Sequence, residues 1–356
     1  MILVTGGCGF IGARFVLDWL GSREEPLVNL DALTYAASPQ ALAALAGDAR
    51  HTFVHGDVCD RALIDKVLAT HRPRAIVHLA AETHVDRAIA DATAFARTNT
   101  LGTLTLLQAA RAHLQARPAA DATAFRFLHC STDEVFGSLA PDEAPCDEQA
   151  PYRPRNPYAA SKAAADHFVS AFHVTYGLPT LVTRGSNTYG PGQHPEKLVA
   201  LAIERILAGE PVPLYGDGSA VRDWLYVDDH VAALAAALER GTPGQSYNVA
   251  GHQGVTNRAL IGRLLAAVEL ETRARDARPA GRGDGRRAAA EPASDAARWI
   301  RFVADRPGHD RRYAMDDRKL RRETGWSPRI GFDEGLRSTV RATIEARRPD
   351  SGTGGQ

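Results

Sequence analysis

A strand, a glycine turn and a helix fill the first twenty residues, and together they leave few folds open. Ile2 to Thr5 is a short apolar strand. Gly6-Gly7-Cys8-Gly9-Phe10-Ile11-Gly12 follows, and Phe10 to about Leu20 has the apolar spacing of a helix. Glycines at such a turn let the backbone approach a pyrophosphate, which sits on the positive N-terminus of the helix. Leu27 to Leu30 reads as a second strand ending in Asp31. An acid about 20 residues past the last glycine can bond the ribose hydroxyls. Its charge repels a 2′-phosphate, so the expected cofactor is NAD rather than NADP.

Further strands are expected at Thr52–His55, Ala75–Leu79, Phe125–Cys130 and Thr180–Thr183. They alternate with helical runs at Ala62–Ala69, Ala92–Ala116 and Tyr158–Tyr176. Such alternation predicts an α/β protein with a Rossmann-type, doubly wound parallel sheet. Past Arg184 the pattern loosens. Helices near Glu196–Leu207, Val231–Glu239 and Asn257–Val268 alternate with short segments such as Pro211–Tyr215 and Ile300–Ala304, and an amphipathic run spans Phe332–Ile344. This predicts a smaller C-terminal substrate-binding lobe. The expected division is an NAD-binding domain over 1–185, to which 224–250 returns, and a lobe over 186–223 and 251–346. The Arg/Ala/Gly-rich stretch Ala274–Ala297 reads as a mobile loop or insertion, and 347–356 as a disordered tail.

Charge and cysteine usage exclude several classes of partner. Lys plus Arg and Asp plus Glu both number 42, so formal net charge is zero. Nothing in that balance points to nucleic acid or a membrane surface. No apolar run reaches the length of a membrane-spanning helix. Cys8, Cys59, Cys130 and Cys146 lack zinc or redox spacing and read as reduced thiols, which suits the cytoplasm. No group of His, Cys and acids has metal-ligand spacing, so no catalytic metal is expected.

The chemistry concentrates in Ser131-Thr132-Asp133-Glu134-Val135-Phe136-Gly137, at the end of the fifth strand. Ligands bind outside the carboxyl ends of strands in such sheets. Two adjacent carboxylates there can divide acid and base roles if their environments separate their pKa values. Alone, the stretch reads equally as a capped loop. Tyr158 and Lys162, four apart on one helical face, change that reading. A nearby ammonium lowers a phenol's pKa, which would make Tyr158 a base beside a hydride acceptor. Arg222, Arg306, Arg311 and Arg312 are candidate diphosphate partners, since a guanidinium bonds phosphate in two places.

Taken together, Thr5–Gly12, DALTY at Asp31–Tyr35, HLAAETHVDR at His78–Arg87, STDEVFG at Ser131–Gly137 and Pro157–Ala163 resemble the nucleotide-sugar 4,6-dehydratases of the extended short-chain dehydrogenase group. So do Arg184–Pro191, PEKL at Pro195–Leu198, Pro211–His230 and DRPGHDRRY at Asp305–Tyr313. The glycine spacing is that group's GxxGxxG variant. The resemblance implies a catalytic group of Thr132, Asp133, Glu134, Tyr158 and Lys162. It implies a tightly bound NAD, regenerated each turnover, against Gly6, Gly9, Phe10, Ile11, Gly12, Asp31, Leu33, Thr34, Asp57, Val58, Leu79, Ala80, Ala81, Thr83, Asn99, Ser131, Tyr158, Lys162 and Thr188. It places a nucleotide sugar, with dTDP-glucose the best fit, against His84, Thr132, Asn187, Lys197, Leu198, Pro213, Tyr215, Arg222, Asn257, Arg306 and His309. UDP-glucose or another nucleotide sugar, or a sugar 4-epimerase, are the alternatives. A homodimer through the Ala92–Ala116 and Tyr158–Tyr176 helices is also implied. Three features depart from the family pattern: Thr188 in place of a second asparagine, no Gly-Asn after Tyr35-Ala36, and no aromatic C-terminal tail.

Overall fold

Alternate residues of the first strand serve different cores, and this sets the architecture. In a computed structural model of the protein, which describes residues 1–117, 124–276 and 296–347, β1 is Ile2–Thr5 and is wholly buried. Ile2 and Val4 join one apolar cluster with Phe15, Val16, Trp19, Leu234 and Leu238. Leu3 joins a second with Ile64, Leu106, Phe127, Val169 and Phe172. A two-residue period that is apolar on both faces demands helices on both faces, and so a parallel sheet.

The sheet that results has seven strands in the order β10-β6-β5-β4-β1-β2-β3, with every pairing parallel. Its other members are β2 (Leu27–Asp31), β3 (His51–His55), β4 (Ala75–His78), β5 (Arg126–Thr132), β6 (Thr180–Gly185) and β10 (Ser246–Val249). Strand order reverses between β1 and β4, so a crevice opens there outside the strands' carboxyl ends.

Three short strands form a mixed sheet, β11 (Gly254–Thr256), β9 (Val221–Tyr226) and β7 (Asn187–Tyr189). β8 (Val212–Tyr215) pairs in parallel with β12 (Ile300–Val303). Their core is separate. Tyr189, Trp224, Tyr226, Leu260, Leu264, Leu336 and Val340 fill it.

Two expectations need revision. The helix expected over Ala92–Ala116 is not uniform: Thr93–Phe95 is α-helical, Ala96–Gly102 is a π-helical turn, and Thr103–Gln115 is α-helical again. The wide turn aims Asn99 sideways, where its side chain bonds both the amide and the carbonyl of Glu82, at 2.8 and 3.0 Å. The helix from Asn257 runs on to Asp276, past the expected end at Val268. The rest of the Arg/Ala/Gly-rich stretch, 277–295, and the tail from 348 lie outside the described residues.

Candidate active site

The strand that carries Ser131 and Thr132 stops because its next residues turn. Thr132 caps a 3-10 turn over Asp133–Phe136, its Oγ1 accepting from the Glu134 amide at 3.3 Å. Gly137 ends the turn at φ +74°, with Arg153 O only 2.2 Å from where a β-carbon would stand. The turn therefore presents Asp133 and Glu134 into the crevice and is clamped from behind.

Asp133 is buried and Glu134 half-buried, and their surroundings differ. Asp133 Oδ1 accepts from the Thr132 hydroxyl at 3.2 Å, while Oδ2 has no partner among the described residues. Burial, then the neighbouring Glu134 and Asp223, push Asp133 well above the usual carboxylate range. Burial also raises Glu134, but the Asn156 amide (3.2 Å) and the charges of Arg222 and Lys197 pull it back. The pair is arranged for one protonated and one ionised carboxyl.

Asn156 was not singled out from the sequence. It caps the Pro157–Tyr176 helix by accepting from the Ala159 amide at 2.8 Å, and its Nδ2 donates to Glu134. An Asn before a Pro-started helix signals a cap; its second bond depends on a residue far off in sequence.

That helix brings Tyr158 and Lys162 into the same crevice. The expected effect of Lys162 on Tyr158 is not met in the protein alone. Burial and then Glu134 push the phenol well above its ordinary value, with the Thr132 hydroxyl pulling it back. Lys162 Nζ points to Cys130 O at 2.7 Å. Tyr158 is therefore neutral until more positive charge enters the crevice.

The crevice has a volume of about 610 Å³ and lies between the large sheet and the smaller region. Of the residues expected to hold the cofactor, Gly6, Gly9, Phe10, Ile11, Gly12, Leu79, Ala81, Thr83, Ser131 and Thr188 line it. Asp31, Leu33, Thr34, Asp57, Val58, Ala80 and Asn99 are not among its lining residues. Asp31 accepts from the amides of Cys8 and Leu33, both at 2.8 Å, and so braces the glycine turn. Asp57 accepts from the Cys59 amide and pairs with Arg97. All eleven residues expected at the nucleotide sugar line the crevice: His84, Thr132, Asn187, Lys197, Leu198, Pro213, Tyr215, Arg222, Asn257, Arg306 and His309. Arg311 and Arg312 do not. The Arg312 guanidinium instead holds the carbonyls of Ala140 and Glu143.

The glycine turn fits a dinucleotide. A β-carbon on Gly12 would lie 2.0 Å from Gly6 O, so only glycine lets the helix start this close to β1. Gly9 caps that helix with no side-chain hydrogen bond, which leaves first-turn amides for a ligand's phosphates. Opposite, Arg222 stacks 4.4 Å from the Tyr313 ring centre and donates to Asp310 O. Arg306 pairs with Asp86 at 2.7 Å and lies over Tyr215. Lys197, half-buried and pulled down by loss of solvent, donates to Thr83 O at 2.9 Å. Thr188 Oγ1 sits 2.7 Å from His230 Nδ1, another lining residue not singled out from the sequence. Gln193, His194, Glu196 and Trp224 line the crevice as well.

Residues 3–339 match the family model described as GDP-mannose 4,6 dehydratase. The chain belongs to this family. Within the GDP-mannose 4,6-dehydratase family, a dTDP-glucose 4,6-dehydratase of Neisseria gonorrhoeae is 47% identical over 342 residues, covering 95% of this chain and 94% of that one. Among solved structures, the dTDP-glucose 4,6-dehydratase DesIV of Streptomyces venezuelae, with NAD bound, is 42% identical at a TM-score of 0.83, covering 97% of each chain. The UDP-glucose 4-epimerase of Thermus thermophilus, also with NAD, is 31% identical at a TM-score of 0.78, covering 97% of this chain and 99% of that one. The family fold thus serves dehydratases and epimerases alike, and the local chemistry has to separate them.

Proposed function

We propose that this chain is a lyase that converts dTDP-glucose to dTDP-4-keto-6-deoxyglucose and water, with NAD bound in the glycine-lined half of the crevice. The observation that carries the reading is the Asp133–Glu134 pair, one carboxyl buried and the other half-buried, with unlike surroundings. A 4-epimerase has no work for an acid and a base beside the redox centre. Nearly full-length identity to dTDP-glucose 4,6-dehydratases supports the choice of sugar nucleotide.

Bound NAD supplies the acceptor and donor for the hydride that moves from C4 to C6, and in its oxidised form a positive ring charge. Tyr158, with that charge beside it, takes the proton of the 4-hydroxyl. Thr132 bonds the oxygen at C4, and Lys162 holds the phenolate's charge. The 4-ketone acidifies the hydrogen at C5. Glu134, whose carboxylate form Asn156, Arg222 and Lys197 favour against the upward push of burial, removes that proton. Asp133, pushed toward its protonated form by burial, gives its proton to the departing 6-hydroxyl, which leaves as water, and the Glu134 carboxyl returns its proton to C5 as C6 is reduced. Arg222, Lys197 and Arg306 meet the diphosphate, with Asn257 and His309 toward the nucleotide.

We place the protein in the cytoplasm as a homodimer. Four free thiols support the first. Exposed Leu101, Phe168, Val174 and Tyr176, on the π turn and the Pro157–Tyr176 helix, support the second. No described helix is long and apolar enough to cross a membrane. Sedimentation tests the dimer. Incubation with dTDP-, UDP- and GDP-glucose, followed by alkaline detection of the 4-keto product, tests the activity. Turnover of dTDP-glucose alone is expected, and no keto product from any of them would remove the dehydratase reading.

A further inference from the structure

Behind Lys162 lies a buried group of charges that the reaction does not use. Asp166 Oδ2 accepts from Tyr152 Oη at 2.6 Å and meets Arg184 Nε at 3.2 Å. Asp166 Oδ1 is 3.4 Å from His129 Nε2, and His129 Nε2 is 3.5 Å from Lys162 Nζ. The side chains of His129, Asp166 and Arg184 are at most 4% exposed. Lys162 and Asp166 stand four apart on one helix, the spacing at which a lysine and a carboxylate pair directly. They do not: among the described residues, Lys162 Nζ donates to Cys130 O at 2.7 Å and its other polar neighbour is His129 Nε2. The imidazole stands between them.

We infer that Asp166 and His129 are positioning residues for Lys162: Asp166 is the counter-charge that keeps the ammonium protonated, and His129 is the neutral spacer that stops the ammonium from collapsing onto it. A direct pair would draw Nζ off the crevice floor and away from Tyr158. The titratable and charged groups facing this cluster are His129 and Cys130 on β5, His78 on β4, Arg184 on β6, Tyr152 from the preceding loop, and Glu148 near Arg184. Burial holds His129 down to about 4, so it is uncharged near neutral pH and can act as a spacer. Burial lowers Lys162, and Cys130 and then Asp166 oppose that shift. Asp166 is held ionised by His129 and Arg184.

The inference rests on the reading of Lys162 as Tyr158's partner, but its test does not need turnover. The chain has only four lysines, Lys66, Lys162, Lys197 and Lys319. Lysine labelled with carbon-13 at Cε therefore gives few signals, and Lys162→Arg assigns the one of interest. In the NAD-loaded protein, Asp166→Asn should lower the Lys162 titration midpoint by about one unit or more. His129→Ala should raise it, because the ammonium then reaches Asp166, and the double variant should cancel that rise. Asp166→Asn leaves Arg184 short of a counter-charge and lowers the melting temperature. If it does not fold, His129→Ala keeps every charge and decides alone. An unmoved midpoint in Asp166→Asn, or an unmoved or lower one in His129→Ala, would overturn the inference. Failure of the wild type to turn over dTDP-glucose would instead count against the dehydratase reading alone.

Discussion

The two walls of the crevice are made of different material. The wall on the large sheet is mostly backbone: a glycine turn, the first turn of a helix and the ends of buried strands. The wall on the smaller region is mostly charged or polar side chains, with Lys197, Arg222 and Asn257 drawn from separate segments and Arg306 and His309 from one loop. A backbone wall recognises by close approach and rejects added atoms. A side-chain wall recognises by charge and rejects its loss. Asp133 and Glu134 stand at the seam, where the sheet's fifth strand ends and the charges of Arg222 and Lys197 reach across.

Variants at the seam should cost most. Glu134→Gln is expected to lower product formation by about 10³-fold. C4 oxidation should survive, seen as reduced-cofactor absorbance that builds without water loss; native-rate dehydration would remove Glu134 from its role. On the side-chain wall, Arg222→Met should raise the KM for dTDP-glucose by roughly 10- to 100-fold, the worth of a charged hydrogen bond, and leave NAD affinity unchanged by titration. On the backbone wall, Gly12→Ala should do the converse. Its β-carbon meets Gly6 O, so about 2 kcal/mol of stability and most of the NAD affinity should go, read by denaturation and cofactor titration. If each of these two variants weakened both ligands equally, the contrast between the walls would be false.

The smallest expected effect is at Asn156. Asn156→Ala removes a helix cap, about 1 kcal/mol in thermal melts. It also removes the bond that pulls Glu134 down. Glu134 must be ionised to act, so raising it moves the acid limb of the dehydration rate to higher pH. A limb that stays put would reduce Asn156 to a cap.

The backbone wall was the readable half. β1, β2, β4 and the strand leading to Ser131 are mostly apolar on both faces, broken only by such residues as Asn29, His78 and His129, so they stand out as short apolar runs. The glycines and the Tyr158–Lys162 spacing add local signals. The other half hides its strands. β9 buries Arg222 and Asp223 in mid-strand, compensated by bonds to Asp310 O and to the amides of Gly251 and Gln253. No periodicity announces a strand whose polar residues are satisfied by distant loops. The π turn at Asn99 is equally silent, since its Thr and Leu neighbours read as ordinary helix. Arg311 and Arg312 were misread for the reverse reason. Their charge suggested phosphate, but loop carbonyls take the bonds of the Arg312 guanidinium, and Arg311, whose backbone amide donates to the Ser138 hydroxyl, does not line the crevice. Burial and partners decide what a charge does, and neither is local.

The place of β10 also bears on how the molecule is made. Ser246–Val249 forms the outer strand beside β6, so the sheet begun at Ile2 stays open until Val249 has left the ribosome. Parallel pairings over such distances close slowly, and the unpaired edge is exposed meanwhile. Until then the nascent chain carries a bare β6 edge and an uncovered Leu181, which is where a chaperone or a second nascent chain would first take hold.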